Sequence, residues 1–257
     1  MFAPTLVNSD ESVDLSNLSD PVIIRNGSPL PLEQSDSPLS PHRMREFVFA
    51  PFNTIGSFMT TFVVPPAPAS FDPQEQLIFL FPAVQADTTE ILLQPVLQFG
   101  FNDVFGGPFW QISSWVVSLN QWSFYSQPIV VESGHVIQAQ MISQESAGLR
   151  NWTVITTDLT QAAATQLSLV KVPADLFVGG MVIGGQLEAY AIAECANLPG
   201  GDRQTVFSGI VVTDGDGVIM NPQLEWMIAP AASRFTGCTM GVSFDKTPDT
   251  TSVTVQY

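Results

Sequence analysis

Glu90-Ile91-Leu92-Leu93-Gln94-Pro95-Val96-Leu97-Gln98-Phe99 is the stretch whose reading decides the fold. A period of two sorts it into two faces. Gln94, Val96 and Gln98 fall on one face, and Leu93, Pro95, Leu97 and Phe99 on the other, as in a strand with one face in a core. Pro95 brings no backbone donor, so an edge or bulged position is expected for it. Far downstream, Gln186-Leu187-Glu188-Ala189-Tyr190-Ala191-Ile192 sorts in the same way. Gln186, Glu188, Tyr190 and Ile192 share a side opposite Leu187, Ala189, Ala191 and Ala193. If the two segments pair in one sheet, a glutamine amide and a carboxylate face the same groove. That is the one enzyme-like constellation the sequence offers.

Outward from these segments the pattern repeats. Short β-branched and aromatic runs bounded by turn residues cover 54–64, 76–84, 90–101, 109–119, 122–131, 135–143, 151–158, 166–171, 186–194, 205–213 and 251–257. The class is all-β, and this spacing predicts two packed antiparallel sheets, a sandwich or jelly roll. Asp175-Leu176-Phe177-Val178 is expected as a short helix, and Asp214-Gly215-Asp216-Gly217 as a hairpin turn rather than a calcium loop, since the later glutamate is missing. Residues 1–44, rich in Ser, Pro, Asp and Asn, read as an extended or disordered N-terminal arm, and 45–257 as the sandwich domain. The arm is either a propeptide over a cleft or a tail packed along the sandwich.

Charge narrows the partners. Eight basic residues against 24 acidic ones leave a net charge of −16, which repels phosphate backbones and anionic lipid surfaces, so neither nucleic acid nor membrane is an expected partner. No apolar run approaches the roughly 20 residues a spanning helix needs. The N-terminal residues carry no recognisable signal peptide, which suits an intracellular protein or a chain lacking its leader. Cys195 and Cys238 are open to two readings, one disulfide or two buried thiols. Sequons stand at Asn17, Asn26 and Asn151. His42 and His135 have no companions at ligand spacing, so neither a metal nor a cofactor is expected. Ser113 and Ser114 lack the setting of a nucleophilic serine.

Gln111, Ser113 and Trp115 share a side of their strand, as do Gln138 and Gln140 of theirs. A face that combines glutamine with aromatic rings is a recognition groove more readily than a solvated surface, which carries Lys, Glu and Thr. Trp110, Trp115 and Trp122 read as sandwich core.

Phe58-Met59-Thr60-Thr61-Phe62-Val63-Val64-Pro65-Pro66, Phe79-Leu80-Phe81-Pro82-Ala83-Val84 and Ile91-Leu92-Leu93-Gln94 resemble the opening of the fungal glutamic peptidases, the eqolisins, with their Val-Pro strand end, Trp-Val-Gly-Ile-like strand and Ile-Leu-Gln-Thr-Gly segment. The likeness continues through Phe109–Trp115, Ile129–Ile137 and Asn151–Val154 to Leu187-Glu188-Ala189-Tyr190-Ala191-Ile192, which falls where the family has Ala-Glu-Trp-Ile-Val-Glu, and then Thr205-Val206-Phe207. This resemblance implies a concanavalin-like sandwich whose concave face holds the site, with Gln94 and Glu188 as the catalytic pair. Glu188 would take a proton from water and Gln94 would stabilise the oxyanion, in acid and without a cofactor. Gln98, Gln111, Trp115, Gln186 and Tyr190 would line the substrate groove. Three occupants fit such a face: a peptide to be hydrolysed, a polysaccharide bound without catalysis, or a small apolar metabolite to be bound, isomerised or cyclised.

Overall fold

The computed structural model describes residues 4–19, 21–25, 28–30, 43–73, 76–87, 91–102, 104–118, 122–146, 149–229, 238 and 240–257. His42 and the sequon at Asn26 lie outside them. Nineteen strands are described: β1 (Thr5–Val7), β2 (Glu11–Asp14), β3 (Val22–Arg25), β4 (Ser28–Leu30), β5 (Arg43–Pro51), β6 (Ser57–Val63), β7 (Leu77–Gln85), β8 (Ile91–Phe101), β9 (Gly106–Ser118) and β10 (Trp122–Ser126) lead the chain. They are followed by β11 (Ile129–Val131), β12 (Val136–Ser146), β13 (Leu149–Asp158), β14 (Ala163–Pro173), β15 (Met181–Tyr190), β16 (Gln204–Thr213), β17 (Met227–Ile228), β18 (Gly241–Lys246) and β19 (Thr251–Gln256).

One sheet runs β1-β10-β9-β8-β7-β15-β5-β17, with β11 also on β9; the other runs β18-β19-β16-β6-β12-β13-β14-β2-β3-β4. Their facing sides share one core, in which Leu93, Leu97, Phe99, Leu187 and Ala189 of the first sheet meet Phe58, Phe62, Trp152, Phe207 and Val253 of the second. The architecture is thus the expected all-β sandwich, but the sheets are mixed. β1 joins β10 and β2 joins β14 in parallel, so the first strands of the chain extend both sheets. Burial disfavours the ionised carboxylate of Glu11, yet bonds from the Asn8 backbone N–H, the Arg25 guanidinium and the Asn8 amide outweigh it and hold its pKa below the ordinary value. Asp14 follows the same pattern: desolvation is outweighed by Lys171, whose Nζ lies 2.7 Å away, and by Ser16.

Several local expectations change. Residues 175–178 form turns, with Leu176 N–H donating to Pro173 O and Val178 N–H to Asp175 O, because the run is too short to nucleate a helix. The expected strand 122–131 is split between Ser126 and Ile129, around Pro128. Pro95 lies in neither an edge strand nor a bulge: β8 sits between β7 and β9. In the β7–β8 register, Leu80↔Leu97 and Val84↔Leu93 bracket an interruption in which Pro82 stands opposite Pro95. The two missing donors therefore fall at a single gap in the ladder. The loop at 214–217 is the expected turn, closed by Asp214 N–H to Val218 O with the Asp214 carboxylate accepting from the Asp216 and Val218 amides. Cys195 and Cys238 are bonded, with Cα atoms 5.5 Å apart.

Candidate functional site

The first sheet has a second apolar surface, turned away from the shared core. Phe79 and Phe81 of β7, Val96 of β8, Trp115 of β9, Tyr125 of β10 and Tyr190 of β15 pack there, with Phe47 and Phe49 of β5 beside them. Phe79 meets Trp115 and Tyr190 edge-on at 6.4 and 6.3 Å, and Trp115 stacks on Tyr125 at 5.2 Å. Burial pushes the Tyr125 phenol pKa up, so its hydroxyl stays neutral. Trp110 and Trp122, in contrast, lie in the core between the sheets.

A bulge in β15 sets the carboxylate on this surface. Pairing with β7 steps from Ile183↔Ala83 to Gln186↔Phe81, and pairing with β5 steps from Ile183↔Phe49 to Gly185↔Val48. Gly184 and Gly185 both press toward the second sheet. A Cβ on Gly184 would come 2.8 Å from Trp226 and Val253, and one on Gly185 2.2 Å from the Phe207 ring. The extra residue reverses the alternation, so Ile183 lies on the outer face with Gln186, Glu188 and Tyr190, while Val182, Leu187 and Ala189 remain in the core. Alternation ends at Ala191, whose φ of 52° turns Ile192 to the core side rather than the expected outer one.

Glu188 is only 6% exposed. Its Oε1 accepts from Gln186 Nε2 at 2.5 Å, and its Oε2 accepts from the Tyr190 hydroxyl at 3.2 Å. Residues i−2 and i+2 on one strand share a face, so a single segment supplies the carboxylate and two of its donors. The arrangement offers a fixed carboxylate beside a phenol in an apolar setting, which can move a proton to or from a bound molecule.

The register also shows which glutamine stands with it. Glu188 pairs with Phe79, Phe79 with Gln98, and Gln98 with Gln111, forming one row across four strands. Gln98 is two strand spacings from Glu188, about 10 Å between Cα atoms. Gln94 pairs with Trp115 instead, four residues farther along β8. Its Cα is about 17 Å from that of Glu188, well outside the reach of a shared water. The structure therefore does not bring Gln94 and Glu188 together. The sequence held a signal for the alternative: Val96-Leu97-Gln98-Phe99-Gly100 meets the Ile-Leu-Gln-Thr-Gly pattern with its glycine, and Gly100 has φ +96° and no room for a Cβ against Gln76 O. Gln138 and Gln140 lie in the second sheet on the side away from the core, where their amides reach the Met59 sulfur, and so do not contribute to this face.

Gln98 is fully buried, and its polar atoms are engaged. Nε2 donates to Gly100 O at 2.9 Å and Phe105 O at 3.3 Å, and Oε1 accepts from Asn102 Nδ2 at 3.0 Å. Asn102 in turn accepts from the Val104 and Phe105 amides. These bonds fold the β8–β9 hairpin tip over the face and lay the Phe105 ring on Tyr125 at 4.4 Å. Gln111 is 3% exposed, and its Nε2 has no hydrogen-bond partner among the described residues. Ser113, next on that side, accepts from Trp115 Nε1 at 2.6 Å. His135 is engaged elsewhere, its Nδ1 2.7 Å from Asp158.

Two solved structures share this arrangement of sheets. Scytalido-glutamic peptidase with a peptide-based transition-state analogue superposes with a TM-score of 0.56 at 13% identity, covering 83% of this chain and 98% of that one. SCP-B, a member of the eqolisin family in complex with the tripeptide Ala-Ile-His, gives 0.55 at the same identity and coverage. The chain has the eqolisin fold. No family model matches the sequence, and no curated protein matches it. At this identity the likeness concerns the fold, because sites change on a retained scaffold.

Proposed function

We propose that the protein is a general acid–base enzyme acting on a small, largely apolar molecule, with Glu188 as the proton-transferring group. The observation that carries this reading is the setting of Glu188: a carboxylate 6% exposed, gripped by Gln186 and Tyr190 and surrounded by aromatic rings. Burying a carboxylate is costly unless it is hydrogen-bonded, and Gln186 and Tyr190 supply the bonds that hold Glu188 on this face. The Tyr190 hydroxyl donates to Glu188, which sets a proton donor beside the carboxylate on one strand. Gln186 holds the carboxylate in place. The aromatic face, with Phe79 9%, Trp115 5% and Tyr125 4% exposed, suits a compact apolar ligand better than an extended polypeptide.

Peptide hydrolysis is the second reading, favoured by the fold shared with two peptidases. Against it stands the engagement of the Gln98 amide by two carbonyls, which leaves neither of its protons for an oxyanion, and the remoteness of Gln94.

One experiment separates the two. Wild-type protein and Glu188→Gln are incubated with denatured casein from pH 2 to 7 and, in D2O, with a panel of apolar ketones, epoxides and polyenes followed by mass spectrometry. Glu188-dependent isomerisation or deuterium incorporation in the panel, without casein cleavage, is the expected result. Casein cleavage lost in Glu188→Gln would establish the peptidase instead, and a panel unchanged by the wild type would end the metabolite reading.

A further inference from the structure

We infer that Gln111 is the group that recognises an oxygen atom of the ligand, at the far end of the face from Glu188. The inference rests on the acid–base reading above and specifies its substrate class. Gln111 stands directly opposite Gln98 on the outer face, in the row that begins with Glu188. Its neighbour is fully satisfied, whereas the Gln111 Nε2 is buried and bonded to nothing among the described residues. A primary amide has two protons to give, and leaving them unmatched away from water is unfavourable unless something else accepts them. A leucine would fill the same space without that penalty. The polar end is therefore retained for a partner that comes and goes.

The partner's chemistry follows from the geometry. The orphaned atom is a donor, so the ligand brings an acceptor: a carbonyl, ether or hydroxyl oxygen. Three strand spacings separate the Glu188 and Gln111 backbones, about 14 Å, and Phe79 and Gln98 occupy the row between them. A ligand that touches both ends thus has an apolar body of roughly 10 Å that lies over Phe79 and passes Gln98 at the Phe105 tip, with its oxygen at the Gln111 end and its reacting carbon at the Glu188 end. The Phe105 ring, folded in by Gln98 and Asn102, helps keep water from competing for the Gln111 amide.

The test pairs two probes of equal length, 2-undecanone and 1-undecene, titrated calorimetrically into wild type and Gln111→Leu, with the melting temperature of each variant recorded. Wild type should bind the ketone at least tenfold more tightly than the alkene. In Gln111→Leu the ratio should fall to about one while the melting temperature stays equal or rises. An unchanged ratio in Gln111→Leu would overturn the inference while leaving the apolar face intact as a binding surface. A lower melting temperature would also overturn it, because the amide would then be bonded within the fold. Failure of both probes to bind the wild type would overturn this inference together with the apolar-ligand reading.

Discussion

Replacing Gly185 by alanine should destabilise the protein far more than a single methyl group ordinarily does. The added Cβ would lie 2.2, 2.7 and 2.9 Å from three carbons of the Phe207 ring. An ordinary contact begins near 3.4 Å, so the ring or the strand has to move by more than an ångström. Neither yields easily: Phe207 is 0% exposed, and its ring packs against Phe62 with centroids 4.9 Å apart. Overpacking of this kind costs about 3 kcal/mol, the upper end of the usual range. For a chain of this size each kcal/mol moves Tm by about 2–4 °C, giving a drop of about 6–12 °C. Thermal and urea unfolding followed by circular dichroism would measure it. Gly215→Ala is the control, since its nearest neighbour is an Arg150 nitrogen at 3.7 Å and no shift is expected. Phe207→Leu should recover part of the loss when combined with Gly185→Ala, because the two changes share one contact. A Gly185→Ala protein as stable as the parent would refute the claim that two cofacial glycines pressed against the second sheet create the bulge beneath Glu188.

The Cys195–Cys238 bond spans a sequence separation of 43, for which chain entropy predicts about 4 kcal/mol; the Cys195→Ser/Cys238→Ser protein should melt well below the parent in calorimetry, and equal Tm values would contradict the assignment. Glu11 and Asp14 have lowered folded-state pKa values, so their contribution is present above the ordinary carboxylate range and is lost as pH falls through the lowered values. Protection factors for hydrogen exchange at Val13 and Ile23 should fall on acidification before that at Val154 does, and simultaneous loss would show that the early strands have no separate electrostatic anchor. Burial raises the Tyr257 phenol from 10.0 to about 12, against a bond with Thr205 that lowers it. A raised pKa means stability present below 10 and lost as pH climbs toward 12, so Tyr257→Phe should flatten the alkaline limb of the stability profile; an unchanged limb would refute this.

Alternation by itself determined much of this protein. Leu93, Leu97 and Phe99 go to the core and Gln98 to the other side because side chains in a strand alternate whatever their partners are. The same rule placed Gln186, Glu188 and Tyr190 together, and Gln111 with Ser113 and Trp115. The likeness to the eqolisins named the fold that the superposed structures share. Register was not legible, because which residue of one strand stands beside which of the next depends on distant segments and on bulges. Hence Gln94 looked like the partner of Glu188, whereas the β7 and β8 ladders put Gln98 in its row. The Gly184–Gly185 bulge was equally hidden: two glycines in a strand can mark a turn or a close approach, and only Phe207, Trp226 and Val253 of other segments show which. The parallel β1 and β2 pairings escaped notice because short polar-flanked strands carry little periodic signal of their own. Local sequence thus decided which way each side chain points. The packing of the two sheets decided which side chains meet, since contacts between residues a hundred positions apart are set by the whole core and by no segment alone.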